Sequence, residues 1–179
     1  MPGPLRALLS PFRARPHRLR APDRDTAELR CALERALHDG PALRASALAL
    51  ELGLLAVTVT DPVERKRLDA AQDTVQDVID DLRAMGEVLY PPVLAGSGLE
   101  PALRAVAERQ DLAMTIDMAV DAGGLDPREH SRVCLLVADH LRSLEPGTAV
   151  AVRVRGGRRF VRVRVTAAGR VGWAVIRCG

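Results

Sequence analysis

The chain has 179 residues, 47% of them hydrophobic, which allows one ordinary domain or two small ones with a core. Aromatics are only 2%, so that core must be leucine, valine and alanine, and base stacking on single-stranded nucleic acid is disfavoured by count. The net charge of +3 comes from 26 basic and 23 acidic residues, a mixed surface that is not uniformly basic.

The first 24 residues form a basic arm with Pro2, Pro4, Pro11, Pro16 and Pro22. Prolines at that density forbid a continuous helix, so a loosely held arm is expected, with an acidic surface as its sharper alternative partner. Its short apolar run is broken by Arg and Pro and makes no signal-peptide core. Cys31, Cys134 and Cys178 are odd in number and far apart, which argues against a disulfide framework and for a reducing compartment. No uncharged apolar run of about 18 residues occurs, so no membrane span is expected, and a cytoplasmic location is the default.

From Asp25 the pattern becomes helical. Leu33, Ala36, Gly40, Leu43, Ala47, Leu50, Leu54 and Val57 recur at steps of three and four, the seam of a packed helix pair. Pro41 interrupts this helix just after His38 and should bend or loosen it. Asp61-Pro62 restarts a helix, with Asp61 as N-cap. Leu68, Ala71, Val75, Val78, Leu82, Met85 and Leu89 form its seam, and Tyr90-Pro91-Pro92 ends it. Two long helices and a short loop make an antiparallel hairpin, which needs a second copy to bury both flanks of its seam.

Ala95-Gly96-Ser97-Gly98 reads as a flexible joint. Beyond it, helices are expected over 99–109 and 127–144, and strands over 113–120, 149–154, 159–165 and 171–177, with a glycine-containing loop at 121–126. An antiparallel sheet with both helices on one face is the simplest assembly. His130 and Cys134 share a helix face, a weak two-ligand metal pattern outweighed by ordinary helix surface. Arg153, Arg155, Arg162 and Arg164 alternate with valine, a half-exposed strand pattern first and an anion- or nucleic-acid-binding face second.

With His38-Asp39-Gly40 in a heptad helix and Tyr90-Pro91-Pro92-Val93-Leu94 closing the next, the chain resembles two-component sensor histidine kinases. The likeness is to the subfamily whose dimerisation and phosphotransfer domain carries a His-Asp motif, and it runs from about Glu28 to Leu94. The resemblance implies an α+β protein: a basic arm over 1–24, a hairpin over 25–95 forming a dimeric four-helix bundle, and over 98–179 a small α/β sandwich similar to a degenerate GHKL-type ATPase domain. It makes His38 the phosphoacceptor and Asp39 the orienting group or general base. It implies a homodimer whose partner is a response regulator receiver domain or a cognate histidine kinase, with no specific nucleic acid.

Departures from the family pattern bear on the chemistry. The amide five residues after the histidine, which positions a water, is Leu43 here. The magnesium-site Glu and Asn fall on Leu136 and His140; a register shift of one makes Asp139 the remnant. The adenine-reading Asp falls on Ala167 of Ala167-Ala168-Gly169, and only ten residues follow that stretch where a glycine-rich loop and lid belong. No cofactor is therefore expected. These features favour a histidine phosphotransfer protein that passes phosphoryl through His38 without binding ATP. The alternative is a non-catalytic adaptor of histidine-kinase type; an active ATP-dependent kinase ranks third.

Overall fold

A computed structural model describes residues 16–120, 125–157 and 159–178 of the chain. Most of the basic arm and most of the loop expected over 121–126 lie outside these residues. The elements run β1 (His17–Arg18), α1 (Arg24–Leu37), a π-helical turn (His38–Ala42), α2 (Leu43–Thr58), α3 (Pro62–Leu89), α4 (Val93–Ser97), α5 (Leu99–Arg109), β2 (Ala113–Val120), α6 (Pro127–Leu141), β3 (Ala149–Gly156), β4 (Phe160–Ala167) and β5 (Arg170–Arg177). The protein is α+β, with a helical hairpin followed by an α/β unit.

Local signals set the hairpin's ends. Asp23 caps α1, its carboxylate accepting from Thr26 N at 2.7 Å, two residues before the start expected from sequence. Asp61 caps α3 through Val63 N and Glu64 N at 2.7 and 3.0 Å, with Pro62 at the first helical position. Pro41 does not break the first helix. The turn around it widens to π geometry, which absorbs the missing donor without ending the run.

The seam splits into two faces. Within one chain, α3 meets α2 through Ala45, Ala49, Leu52 and Ala56, while Leu43, Leu50, Leu54 and Val57 stay 63–78% exposed. In α3, Leu68, Val75, Leu82 and Leu89 are half-buried together with buried Ile79 and Gly86, whereas Val78 and Met85 are exposed. Small residues line the inner face because they let the helices approach closely; the bulky ones point out. By length and composition Arg24–Thr58 is apolar enough to cross a membrane. Yet α3 runs beside it with charge in nearly every turn, from Glu64 and Arg65 to Asp80, Asp81 and Arg83, and immersing the pair would strip those charges of water.

The sheet has the order β1-β5-β4-β3-β2. It is mixed rather than antiparallel: β2 pairs parallel with β3, and β1 parallel with β5. The reason is α6, which carries the chain back across the sheet so that β3 starts from the same end as β2. Valines 150, 152, 154, 161, 163 and 165 pack under α5 and α6, which supply Leu103, Leu135 and Leu141. The fifth strand lies in the segment assigned to the arm: Leu19 N donates to Trp173 O at 2.7 Å, and Leu19 packs against the core over Gly172. The joint after Leu94 is likewise ordered. Val93–Ser97 is helical, Leu94 and Leu99 are buried, and Gly98 alone makes the corner, at φ +89°.

The hairpin and the sandwich are clamped at the base of α1. Arg30 donates to the carbonyls of Val88 and Leu89, both at 2.8 Å, and forks onto Asp139 at 2.8 and 3.0 Å. Arg142 donates to Glu87 O and to Asp139. Two guanidiniums thus satisfy orphan carbonyls that end α3, and Asp139 of α6 bridges the pair as their shared counter-ion. A second cluster is centred on Glu129, only 1% exposed, which accepts from Arg24 at 2.9 Å and from Arg132 at 3.0 Å. The Tyr90 hydroxyl, buried beneath α6, shares a hydrogen bond with Ser131 Oγ at 2.7 Å.

Candidate phosphoacceptor site on the helical hairpin

His38 is the first residue of the π turn, and its side chain is 76% exposed. Its Nδ1 lies 3.1 Å from Asp39 Oδ1. A carboxylate oxygen accepts, so in this contact Nδ1 is the donor, which leaves Nε2 as the ring nitrogen turned away from Asp39. The ring stands at the rim of a groove of about 210 Å³ between α1 and α3. Leu37, Ala42, Leu82 and Gly86 form its apolar wall, and Glu34, Arg83 and Glu87 its polar edge.

Sequence places His38 outward of the seam, and the exposed ring agrees. It also lines the groove that Leu82, Arg83 and Gly86 of α3 bound on the other side. Leu43, at the position of the family's amide, is 63% exposed and offers no polar atom that could hold a water.

The other positions singled out by sequence sit in the sandwich. His140 and Ala167 line a single cavity of about 390 Å³ together with Ala168, Arg170, Ser143 and Glu145. His17 of β1 enters it, its ring centroid 5.7 Å from that of His140. Burial, then the His17 ring and Arg170, hold the His140 pKa below its ordinary value, which favours the neutral imidazole. Leu136 points instead into the core at 4% exposure. Ala167-Ala168-Gly169 closes β4 onto β5 as a tight turn, with φ +48° at Ala168 and +73° at Gly169. Asp139 is taken by Arg30 and Arg142.

His130 and Cys134 lie on α6, but they do not share an exposed face. Cys134 is fully buried, and among the described residues no group of three ligating side chains comes together. Burial pushes the Cys134 thiol up to about 12. Cys134 should therefore resist a disulfide reagent at neutral pH while the protein is folded and react once it is denatured; labelling of Cys134 in the native protein, read by mass spectrometry, would contradict this.

Sequence reasoning missed Arg24, Arg30, Glu129, Arg132 and Arg142. Nothing local marks them, because each reads as an ordinary surface charge on an amphipathic helix. Glu129 looks like a favourable acid in the first turn of α6, and only the packing of α1 against that turn makes it buried.

No curated protein matches the chain. The family model HisKA_3, described as histidine kinase, matches residues 30–94. That span takes in α1 from Arg30, the π turn with His38 and Asp39, the rest of the hairpin and the Tyr90–Leu94 closure, so the hairpin segment is similar to the histidine kinase family.

Proposed function

We propose that the protein is a dimeric histidine phosphotransfer protein that receives phosphoryl from an aspartyl phosphate on a receiver domain and returns it to another, without using ATP. The observation that carries this reading is the exposed His38 ring held by Asp39, on a hairpin whose attached sandwich is clamped and lacks the adenine-reading acid. In the forward step Nε2 of neutral His38 attacks phosphorus, the acyl phosphate P–O bond breaks, and the receiver's carboxylate leaves with that electron pair. The positive charge that develops on the ring is balanced by Asp39, which can take the Nδ1 proton. The reaction reverses with the proton returned. The groove beside His38 is where a receiver would seat, since its apolar wall and charged rim are both open. Magnesium, where required, would come with the receiver.

Dimerisation follows from the outward seam. Leu43, Leu50, Leu54 and Val57 on α2, with Val78 and Met85 on α3, form an apolar surface that no other described residue covers. Burying each such side chain is worth on the order of 1 kcal/mol or more, and a second hairpin of the same sequence supplies the matching surface. The protein should run in light scattering at about twice 19.3 kDa. Leu50→Glu with Leu54→Glu should yield a folded monomer; a wild-type monomer at micromolar concentration would undo the bundle.

The second reading, an adaptor that binds a receiver or a kinase without transferring phosphate, is favoured by Leu43 alone, since an adaptor has no need of a hydrolytic water. Phosphoryl labelling at His38 decides between them.

A further inference from the structure

Among the described residues the sheet is covered by α5 and α6 on one face only, and its other face has an ordered chemistry. Strand register lays it out as a grid. One row reads Asp117, Arg153, Arg164, Trp173, Arg18 across all five strands. The next row sets Arg155 against Arg162 and Arg162 against Val175; beyond it Phe160 faces Arg177.

Asp117 pairs with Arg153 at 3.0 Å and with Arg155 at 2.6 Å. Among the described residues Arg162 and Arg164 have no carboxylate partner. Each instead lies directly opposite another arginine, and like charges paired across strands destabilise a sheet. An anion laid over the rows removes that repulsion. Neighbouring rows are about 6.7 Å apart along a strand and neighbouring strands about 4.8 Å apart, which suits successive phosphates of an extended polynucleotide. Guanidinium forks match phosphate oxygens two at a time.

The aromatics decide which polyanion fits. Tyr90 is buried, whereas Trp173 and Phe160 are 40% and 47% exposed, both on this face among the arginines. Arg18 lies over the Trp173 ring at 5.9 Å, the place a stacked base would take. A low count of aromatics argues against base stacking; their concentration on one cationic plane argues for it. An acidic peptide would use the arginines but would leave the indole and the phenyl without a role. We propose that the open sheet face binds single-stranded nucleic acid, its phosphates on Arg153, Arg155, Arg162 and Arg164 and its bases on Trp173 and Phe160. This is independent of His38 and of phosphotransfer.

The test uses the full chain and a labelled oligothymidylate of about twelve nucleotides, read by anisotropy and by the fluorescence of the chain's one tryptophan. Binding should quench Trp173, and log affinity should fall with log salt at a slope of about −2 to −3, as three or four phosphate contacts require. Arg162→Ala with Arg164→Ala should weaken binding about ten-fold or more and flatten that slope. Phe160→Ala should weaken it about five-fold or more and leave the slope unchanged. No binding, or binding that the double arginine variant leaves intact, would overturn the proposal. Binding without quenching would overturn it too, since it places phosphates alone on the face. If polyglutamate or phosphatidylglycerol vesicles bind in an arginine-dependent way and the oligonucleotide does not, the face belongs to an acidic protein or a membrane instead.

Discussion

Mixed with a receiver domain phosphorylated on its aspartate, the protein should acquire phosphoryl label, and His38→Gln should acquire none. Glutamine keeps polarity and approximate size but has no nucleophilic nitrogen, so the loss should be complete rather than partial. The label should be acid-labile and alkali-stable, as a phosphoramidate is. Asp39→Asn should leave the label possible but slow its transfer about 100-fold, because an amide can orient Nδ1 but cannot balance the imidazolium charge. Magnesium and ATP alone should give no label; label from ATP that depends on His38 would restore the kinase reading. Receiver binding with no transfer in either direction would assign the protein to the adaptor class. His38 and Asp39 are both 76% exposed, so their hydrogen bond is weak in water and gains strength only when a docked receiver excludes solvent.

The largest stability effect should come from Glu129→Ala. Its carboxylate is buried and bonded by Arg24 and Arg132 at 2.9 and 3.0 Å. Removing it leaves Arg132, only 15% exposed, without its buried counter-ion. Breaking a buried pair in this way costs about 3 kcal/mol or more, and for a chain of this size that lowers Tm by roughly 6–12 °C. Glu28→Ala is the control. Glu28 also pairs an arginine, Arg128 at 3.3 Å, but both side chains are more than half exposed, so the change should stay within about 0.5 kcal/mol. Equal melting temperatures for the two variants would mean that the Glu129 cluster does not hold α1 to α6. Because that cluster and the Arg30–Asp139 fork together fix the sandwich against the hairpin base, Glu129→Ala should also loosen the joint, visible as faster amide exchange in α1.

The fixed joint also bears on function. The sandwich is held at the base of α1 by Arg24, Arg30, Arg132 and Arg142. Asp139, the one acid that a shifted register could offer to magnesium, is consumed in this joint. Both features accord with a histidine that works on phosphate brought by another protein.

Where the candidate residues fall on the hairpin was legible in the chain because the signals are local. His38 and Asp39 are adjacent, Pro41 is three residues on, and the helix ends at Asp61-Pro62 and Tyr90-Pro91 are set by capping and by proline sterics within a few residues. The alternation of valine with arginine on β3 and β4 named the inner and outer faces of both strands correctly. Each of these depends on a residue and its near neighbours, which is what a sequence displays.

Tertiary structure alone decided the rest. That Leu43, Leu50, Leu54 and Val57 of the expected seam point outward while Ala45, Ala49, Leu52 and Ala56 turn toward α3 depends on how the two helices pack across the hairpin. The parallel pairing of β2 with β3 depends on the path of α6. That His17 becomes an edge strand depends on β5 leaving its last hydrogen-bonding edge open. Arg30 with Asp139, and Arg24 with Glu129, meet across 109 and 105 residues. A pattern of apolar spacing specifies that a surface will be buried; it carries no label for the partner, and the identity of a charge says nothing of the carbonyl or carboxylate it will find once the chain has folded back on itself.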